Sequence, residues 1–352
     1  MTSDPPRHAP FLHRAGWGAG LAAGAALLLL LWFARTVLLV AFAGILLAIL
    51  LRTPAEWLSR RTRLSPTVAV VVVSVLLLLL LAGAFWARGS AIADQAAELR
   101  ERLPIAAARI EEYVRGTSWG RTVLAFIPAP EDALKDASGA IQQATGVLSR
   151  ALGAIVGVVL VLFIGLVLAL SPRPYVEGAM RLVPPRRRAR TREILQRLAA
   201  TLQWWLLGRL ISMSAIGLLT GIGLSLLEVP LAFVLAILAA LLSFIPNVGP
   251  VLSALPAILL ALVQGPRLAL AVVGLYLGVQ FVESYILEPV IDRKTIYLPP
   301  ALTVLAQLTM ALAAGLLGVA LATPLLAVVV VLTRMLYVED VLDDHRPAEA
   351  AR

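Results

Sequence analysis

The chain has 352 residues, of which 60% are hydrophobic and 14% charged, and its formal net charge is +9. Water-soluble proteins carry about 25% charged residues, so this composition excludes an ordinary soluble domain. There is no cysteine, and the three histidines, His8, His13 and His345, lie in polar tails. Disulfides and thiolate metal sites are therefore excluded. We expect no cofactor and no enzymatic activity, because no catalytic motif is present.

The N-terminal quarter consists of long apolar runs that predict three membrane spans. Spans one and two cover about 16–34 and 36–51, with a short turn at Arg35 between them, and span three covers about 66–87. A helix of about 20 apolar residues can cross a hydrocarbon core of about 30 Å. Because a second apolar run follows the first at once, we interpret the first run as a span and not as a cleaved signal peptide.

Residues 88–149 form a polar interruption before span four, which covers about 150–171. Apolar residues recur in this interruption at helical spacing, at Ile92, Leu99, Leu103, Ile110 and Val114. Such spacing is typical of amphipathic helices. We therefore expect a small extracytoplasmic helical domain.

The distribution of arginine predicts the orientation of the chain. Residues 173–197 hold eight arginines against two glutamates, and the loop at 52–63 is also basic. Short basic loops face the cytoplasm. This places 88–149 outside, and both tails, 1–15 and 337–352, on the cytoplasmic side of a bacterial inner membrane. Basic loops also contact anionic headgroups, so we expect membrane lipids as partners and no nucleic acid.

Two apolar stretches in the C-terminal half fit neither one crossing nor two. Residues 229–264 number 36 and residues 300–333 number 34, so each would exceed about 50 Å as a straight helix. Each stretch carries helix-breaking residues near its middle, where proline removes a backbone donor and glycine permits left-handed backbone. These hinge residues are Pro246, Gly249, Pro250, Gly315 and Gly318.

We expect both stretches to be re-entrant hairpins that enter from opposite sides, separated by span seven (about 267–287). Such a pair forms an inverted repeat, an arrangement that many transporters use to build a site near the midplane. The alternative is that each stretch crosses once as a broken span. The expected fold is thus an all-α polytopic membrane protein with about eight membrane segments, two of them broken. The predicted organisation is a tail at 1–15, spans at 16–87, the helical domain at 88–149, span four at 150–171, a basic helical segment at 172–204, a transport core at 205–336 and a tail at 337–352.

Ionisable and amide side chains within apolar segments are the candidates for a site, because each is costly in hydrocarbon. Glu283 could bind a cation or exchange a proton; the alternative is a surface carboxylate paired with Arg293 or Lys294. Asn247 lies at a predicted hairpin tip, where exposed backbone groups could coordinate a ligand. The candidate substrate- or ion-binding residues are Glu283, Asn247, Gln280, Glu288 and Asp292.

The C-terminal part of the chain, about 150 residues, resembles the autoinducer-2 exporter family of membrane proteins. The resemblance lies in four elements in order: Phe244–Pro250, Gln280–Pro289, Leu298–Pro300, and Gly315–Gly318 followed by Pro324. It implies a multi-span transporter with about eight membrane segments. It also assigns the family's Pro-x-x-Gly-Pro element to Pro246, Gly249 and Pro250, and its Glu and Glu-Pro elements to Glu283, Glu288 and Pro289.

Two residues depart from the family pattern. Arg209 stands where an uncharged polar residue is commoner, and Glu228 stands where a small residue precedes Val-Pro. We interpret Arg209 as a side chain that snorkels to the cytoplasmic surface, with a role in a transport pathway as the alternative. We interpret Glu228 as a surface residue.

The expected function is secondary transport. The resemblance implies export of a small polar solute like autoinducer-2, or exchange of a monovalent cation for protons, and we expect a homo-oligomer. The alternative is a non-transporting membrane scaffold that acts through residues 88–149.

Overall fold

The computed structural model describes residues 11–115, 140–289 and 298–342, and these residues are helical apart from short connections. The helices are α1 (Phe11–Thr62), α2 (Pro66–Arg115), α3 (Ala140–Leu170), α4 (Pro172–Arg181), α5 (Arg188–Leu226), α6 (Ala232–Leu242), α7 (Val248–Gln264), α8 (Pro266–Val282) and α9 (Pro300–Leu332). A turn of π-helix, Glu283–Leu287, extends α8, and another, Thr333–Glu339, extends α9. No strand occurs in these ranges, which confirms the all-α class.

Helix α1 runs through Arg35 without a break, so the turn predicted there is wrong. Arginine has a high helix propensity, and neither glycine nor proline lies beside it. A turn between two apolar runs would also leave backbone groups unpaired in hydrocarbon. Because one helix replaces spans one and two, the cytoplasmic position of the N-terminus no longer follows from counting spans and stays a prediction.

The described helices make this a multi-pass membrane protein. Four helical stretches are long and apolar enough to cross a bilayer, and a fifth is obtained if α3 and α4 are counted as one bent span. The predicted total of eight segments stays a prediction. The four stretches are Ala34–Thr62, Pro185–Leu226, Pro266–Leu287 and Pro300–Glu339.

The first broken segment consists of α6 and α7, which lie antiparallel beside each other. Val234 and Leu235 near the start of α6 are buried in the same cluster as Leu260 and Ala261 near the end of α7. Residues 243–247, here called the tip, connect the two helices. A Cβ added to Gly249 would overlap the carbonyl oxygen of Leu242, so the reversal is tight and requires glycine.

The second broken segment is α9, whose backbone leaves the helical region at Ala314 and Gly315. Gly315 has a φ of 60°, which glycine adopts without strain. A Cβ added to Gly318 would overlap the carbonyl oxygen of Met310. In a straight helix, residues eight apart are separated by about 12 Å, so the chain reverses direction here. The break thus lies at Ala314 and Gly315, and the hinge role of Gly315 and Gly318 stays a prediction.

Helix α5 is the element against which both broken segments pack. At its C-terminal end, Leu224 joins the cluster of the first broken segment. At its N-terminal end, Ile194 packs with Val331, and Leu202 and Leu206 pack with Leu321. Continuing this antiparallel register from Leu321 places the break in α9 at about the level of Arg209. The two segments therefore approach the middle of α5 from opposite ends.

Small residues let α6 lie close against α5. Gly217 and Gly221, four residues apart on α5, face Ala240 and Ala236 on α6. Such small-xxx-small surfaces are favoured between helices in membranes because they allow close backbone approach and extensive van der Waals contact. This contact fixes how far the tip reaches along α5.

Replacing Gly217 with alanine is expected to lower the free energy of unfolding by about 1–3 kcal/mol, the usual effect of overpacking. The new Cβ would lie 2.8 Å from the Cβ of Ala240. Thermal unfolding of the purified protein measures this effect, and Gly217→Ala combined with Ala240→Gly should recover most of the loss. A single variant at least as stable as the wild type would contradict this packing.

The arginine-rich segments lie together at one end of the bundle. The end of α1 packs with the end of α3 through Ala55 and Ala169, and the start of α5 packs with the end of α9 through Ile194 and Met335. At that end Arg190 contacts three carboxylates, those of Glu193, Glu339 and Asp340.

The predicted 88–149 domain is only partly described. Residues 88–115 continue α2, and Leu99 of this helix is buried against the first broken segment.

Candidate functional site

A buried ion pair joins α5 to the end of α8. Nη1 of Arg209 lies 3.2 Å from Oε1 of Glu283, and their side chains are only 8% and 4% exposed. The interpretation of Arg209 as a snorkelling side chain is therefore wrong, because the guanidinium points inward to a carboxylate. Removing one partner of a buried pair leaves an uncompensated charge, which typically costs about 3–5 kcal/mol. The pair is thus strongly coupled to the packing around it.

The position of Glu283 opposite Arg209 follows from the register of α5 against α8. Gly223 of α5 contacts Leu275 of α8, and Ile216 of α5 packs in one cluster with Val279. The same antiparallel register brings Arg209 opposite Glu283. At Glu283 the helix widens to a π-helical turn, a rare geometry that is frequent at functional sites.

The tip of the first broken segment lies against the same arginine. Nε of Arg209 donates to the carbonyl oxygen of Phe244 at 3.2 Å. One turn before Arg209, Trp205 packs edge-on against the Phe244 ring, with centroids 5.8 Å apart. The last carbonyls of a helix lack intrahelical partners. The guanidinium of Arg209 lies beside the end of α6 and donates a hydrogen bond to one of the carbonyls that follow it.

The second broken segment reaches the tip through Gln307. Its Nε2 donates to the carbonyl oxygen of Pro246 at 2.9 Å, and its side chain is buried on α9 next to the buried Thr303, one turn earlier. Arg209, Glu283 and Gln307 thus bring α5, α8 and α9 to one tip. The site is a junction of four helical elements around a non-helical backbone.

Two polar atoms at this junction have no hydrogen-bond partner in the described structure. They are Nη2 of Arg209 and Oε1 of Gln307, and both are buried. Buried polar groups are nearly always satisfied, so such atoms mark an unfilled role. A ligand here would need an oxygen acceptor for the guanidinium and a donor for the amide oxygen. No group of three or more metal-ligating side chains occurs within the described ranges.

The other predicted site residues are less closely associated with the pair. Asn247 is exposed at the tip and has a φ of 65°, a conformation that asparagine tolerates better than most residues. Gln280 is half-buried and donates to Oγ of Ser284, on its own helix. Glu288 is exposed, and its charge also acts on Arg209. Asp292 lies outside the described residues, as do Arg293 and Lys294.

Replacing Gln307 with leucine is expected to lower transport about tenfold, because the tip loses the donor that fixes Pro246. The Pro246 carbonyl keeps its bond from the Val248 N–H at 2.7 Å, so the expected loss comes from the missing link between the tip and α9. Thr309→Val on the same helix is the matched control, because its hydroxyl bonds only to Leu305 of its own preceding turn. Transport rates in reconstituted vesicles compare the two, and equal rates would show that Gln307 does not position the tip.

The sequence predicted Glu283 and the tip as parts of one site, and the structure brings them together. It gave Arg209 a role in the pathway only as an alternative, although intramembrane charges usually pair with one another or line a polar cavity. The partner of Arg209 lies 74 residues away, beyond the reach of local spacing. Gln307 carries only a weak signal, because it is a single amide in an apolar stretch.

Comparison with known proteins agrees with this architecture. The sequence profile of the AI-2E family of transporters matches residues 21–337, nearly the whole chain. The chain belongs to the AI-2E family. The resemblance inferred from the C-terminal motifs is therefore confirmed.

Individual relatives of this member of the AI-2E family are more distant and match over part of their length. YueF of Bacillus subtilis, provisionally named a transport protein, is 28% identical over 53% of this chain and 52% of its own. YrrI of the same organism, also provisionally named so, is 30% identical over 43% of each chain. The AI-2 transport protein TqsA of Escherichia coli is 36% identical over 34% of this chain and 36% of its own. The chain thus spans about half the length, or less, of these relatives.

Proposed function

We propose that this protein is a secondary transporter that exports a small polar solute across the bacterial inner membrane in exchange for protons. The observation that carries the proposal is the buried Arg209–Glu283 pair at the tip, beside two unpartnered polar atoms. Membrane proteins tolerate irregular backbone at depth where it is buried or lines an aqueous cavity. The proposed substrate site is this junction, and no catalytic step is involved.

The chemistry of the junction supports a hydroxylated solute. Nη2 of Arg209 offers a donor and Oε1 of Gln307 offers an acceptor, so a compound with several hydroxyl groups could satisfy both. Asn247 is exposed at the tip and adds an amide within the same region. A relative carries the name AI-2 transport protein, which makes autoinducer-2, a small polar furanosyl compound, the first solute to test.

Coupling to protons follows from competition for one carboxylate. Arg209 is paired with Glu283. A solute hydroxyl that accepts from the guanidinium and donates to the carboxylate requires Glu283 to be ionised, so a proton on Glu283 excludes the solute. Solute and proton therefore compete for the same pair, which is the physical basis of exchange between two ligands.

Exchange of a monovalent cation for protons is the second branch. It would use Glu283 as the cation ligand, but Arg209 already neutralises Glu283. A bare cation would have to displace the guanidinium and would gain only one carboxylate. The pair therefore supports the polar-solute branch more than the cation branch.

The packing supports the inverted arrangement as part of the proposal. The two broken segments pack against opposite ends of α5 and meet near Arg209, as two re-entrant hairpins entering from opposite sides would. The clustering of basic segments at one end of the bundle supports a cytoplasmic position for that end. A row of exposed leucines on α9, Leu305, Leu308 and Leu312, is available to a second copy in the proposed homo-oligomer.

The test is efflux from sealed proteoliposomes that are loaded with autoinducer-2 and carry an imposed pH gradient and a fluorescent pH reporter. Wild-type protein should release solute faster than protein-free vesicles and should consume the gradient as it does so. Arg209→Gln and Glu283→Gln should abolish both signals. Glu228→Gln and Arg267→Gln are the matched controls, because these charges are exposed and remote from the tip.

The outcomes separate the candidate functions. Dissipation of the gradient by sodium or potassium in the absence of solute would favour the cation branch. If neither autoinducer-2 nor sodium nor potassium leads to a change in the pH gradient or in the solute content of the vesicles, transport of these solutes is overturned. That result would favour the scaffold alternative, which acts through residues 88–149.

A further inference from the structure

A partly open cavity lies away from the tip, near the basic end of the bundle. It has a volume of about 720 Å³ and is lined by α1, α4 and α5 and by the ends of α3 and α9. This volume is within the range of about 300–1,000 Å³ typical of ligand sites. One face of helix α1, from Phe42 to Glu56, lines the cavity. None of the residues of the proposed transport site lines this cavity.

The interior of the cavity is apolar and its rim is polar. Phe42, Ile45 and Leu202 line the inner part, whereas Arg52, Glu56 and Tyr175 lie toward the end of α1 and on α4. Apolar cavities of this kind do not hold stable water. In a membrane, an acyl chain is the apolar group available to fill such a space.

Helix α4 places the rim at the level of lipid headgroups. It leaves α3 at an angle of 84°, so it lies along the membrane surface where α3 crosses the bilayer. Pro172, Tyr175 and Val176 of α4 face the cavity. The charged residues of α4, Arg173, Glu177 and Arg181, recur every four positions and share one face, which is typical of helices that lie in the interface.

Charge around the rim selects the headgroup. Residues 52–63 and 172–188 together carry nine arginines and two glutamates. Arg52 pairs with Glu56 at 3.5 Å but keeps 29% of its side chain exposed, and Arg61 lies over the Trp57 ring. Each basic residue near an anionic surface contributes about 1 kcal/mol, so the rim favours an anionic over a zwitterionic headgroup.

We propose that this cavity is a binding site for one anionic phospholipid, with an acyl chain between α1 and α5 and the phosphate beside Arg52. The acyl chain would fill the space between the helices of the N-terminal half and the transport core. The lipid would thereby connect these two parts of the protein across the cavity. This site is independent of the substrate chosen for the tip.

The test measures which lipids stay with the protein. The wild type is reconstituted in vesicles of equal phosphatidylglycerol and phosphatidylcholine with matched chains, extracted in mild detergent and analysed by native mass spectrometry. We expect phosphatidylglycerol to be retained about tenfold over phosphatidylcholine, equivalent to about 1.4 kcal/mol. Ala199→Phe, which fills the cavity, should lose the retained lipid. Ala271→Phe, at an exposed position on α8, should keep it.

Arg52→Gln separates headgroup recognition from chain binding. It should leave a lipid bound but bring the ratio of the two lipids close to one. The proposal would be overturned if the wild type retained phosphatidylglycerol and phosphatidylcholine in the same ratio as in the vesicles. It would also be overturned if Ala199→Phe retained as much lipid as the wild type. Loss of solute efflux in Ala199→Phe with unchanged lipid retention would also overturn it and identify the cavity as a lateral entry for solute.

Discussion

Arg209→Gln and Glu283→Gln are each expected to abolish transport and to lower the free energy of unfolding by about 3–5 kcal/mol. Each substitution leaves one buried charge without its partner, since both side chains are almost completely enclosed. Glutamine preserves the approximate size of glutamate, so Glu283→Gln removes charge with little change in volume. Thermal unfolding and vesicle efflux are measured on the same preparations.

The double variant Arg209→Gln/Glu283→Gln distinguishes structure from function. Without either charge there is no unpaired ion, and the stability is expected to return to within about 1–2 kcal/mol of the wild type. Transport should stay absent, because neither a guanidinium for the solute nor a carboxylate for the proton remains. Transport that recovers together with stability would show that the pair has only a structural role.

Gly249→Ala and Gly318→Ala are expected to lower transport by tenfold or more and stability by about 1–3 kcal/mol. In both, the new Cβ would overlap a backbone carbonyl of the preceding limb, at Leu242 and Met310. Backbone cannot move aside as a flexible side chain can. The reversals that bring Gln307 to Pro246 would therefore open.

Gly274→Ala and Gly278→Ala on α8 are the matched controls. A Cβ at either position meets no atom within 4 Å, and alanine is favoured over glycine in a helix by about 1 kcal/mol. These variants should transport normally and be equally or more stable. If Gly249→Ala and Gly318→Ala behaved like them, the two chain reversals would be less tight than described.

The breaks in the fold were predictable because they depend on local chemistry. Pro246 lies in the tip and Pro250 in the first turn of α7, where proline is tolerated, and Gly315 has a φ of 60°. Proline alone is not a sufficient signal, because Pro256 and Pro324 lie inside helices. Glu283 was predictable for a similar reason, since a carboxylate in an apolar segment requires a partner or a function. These features need only the neighbouring residues.

Features that depend on distant contacts were not predictable from one sequence. Arg209 is paired with a residue 74 positions away, and only the register of α5 against α8 brings the two together. The turn predicted at Arg35 was wrong for a local reason. A single charged residue between two apolar runs does not indicate a turn, because arginine has a high helix propensity. The angle between α3 and α4 depends on contacts of α4 with α5 and has no local signal beyond Pro172.

The short length of α6 has a consequence for the electrical behaviour of the transporter. Its 11 residues span about 17 Å, so in the proposed orientation the tip stops part-way through a core of about 30 Å. The tip and Arg209 then lie inside the hydrocarbon core, across which the membrane potential falls. A step that protonates Glu283 leaves the charge of Arg209 within this field, where one elementary charge is worth about 2.3 kcal/mol per 100 mV. Solute efflux should therefore respond to membrane voltage even when the solute itself is uncharged.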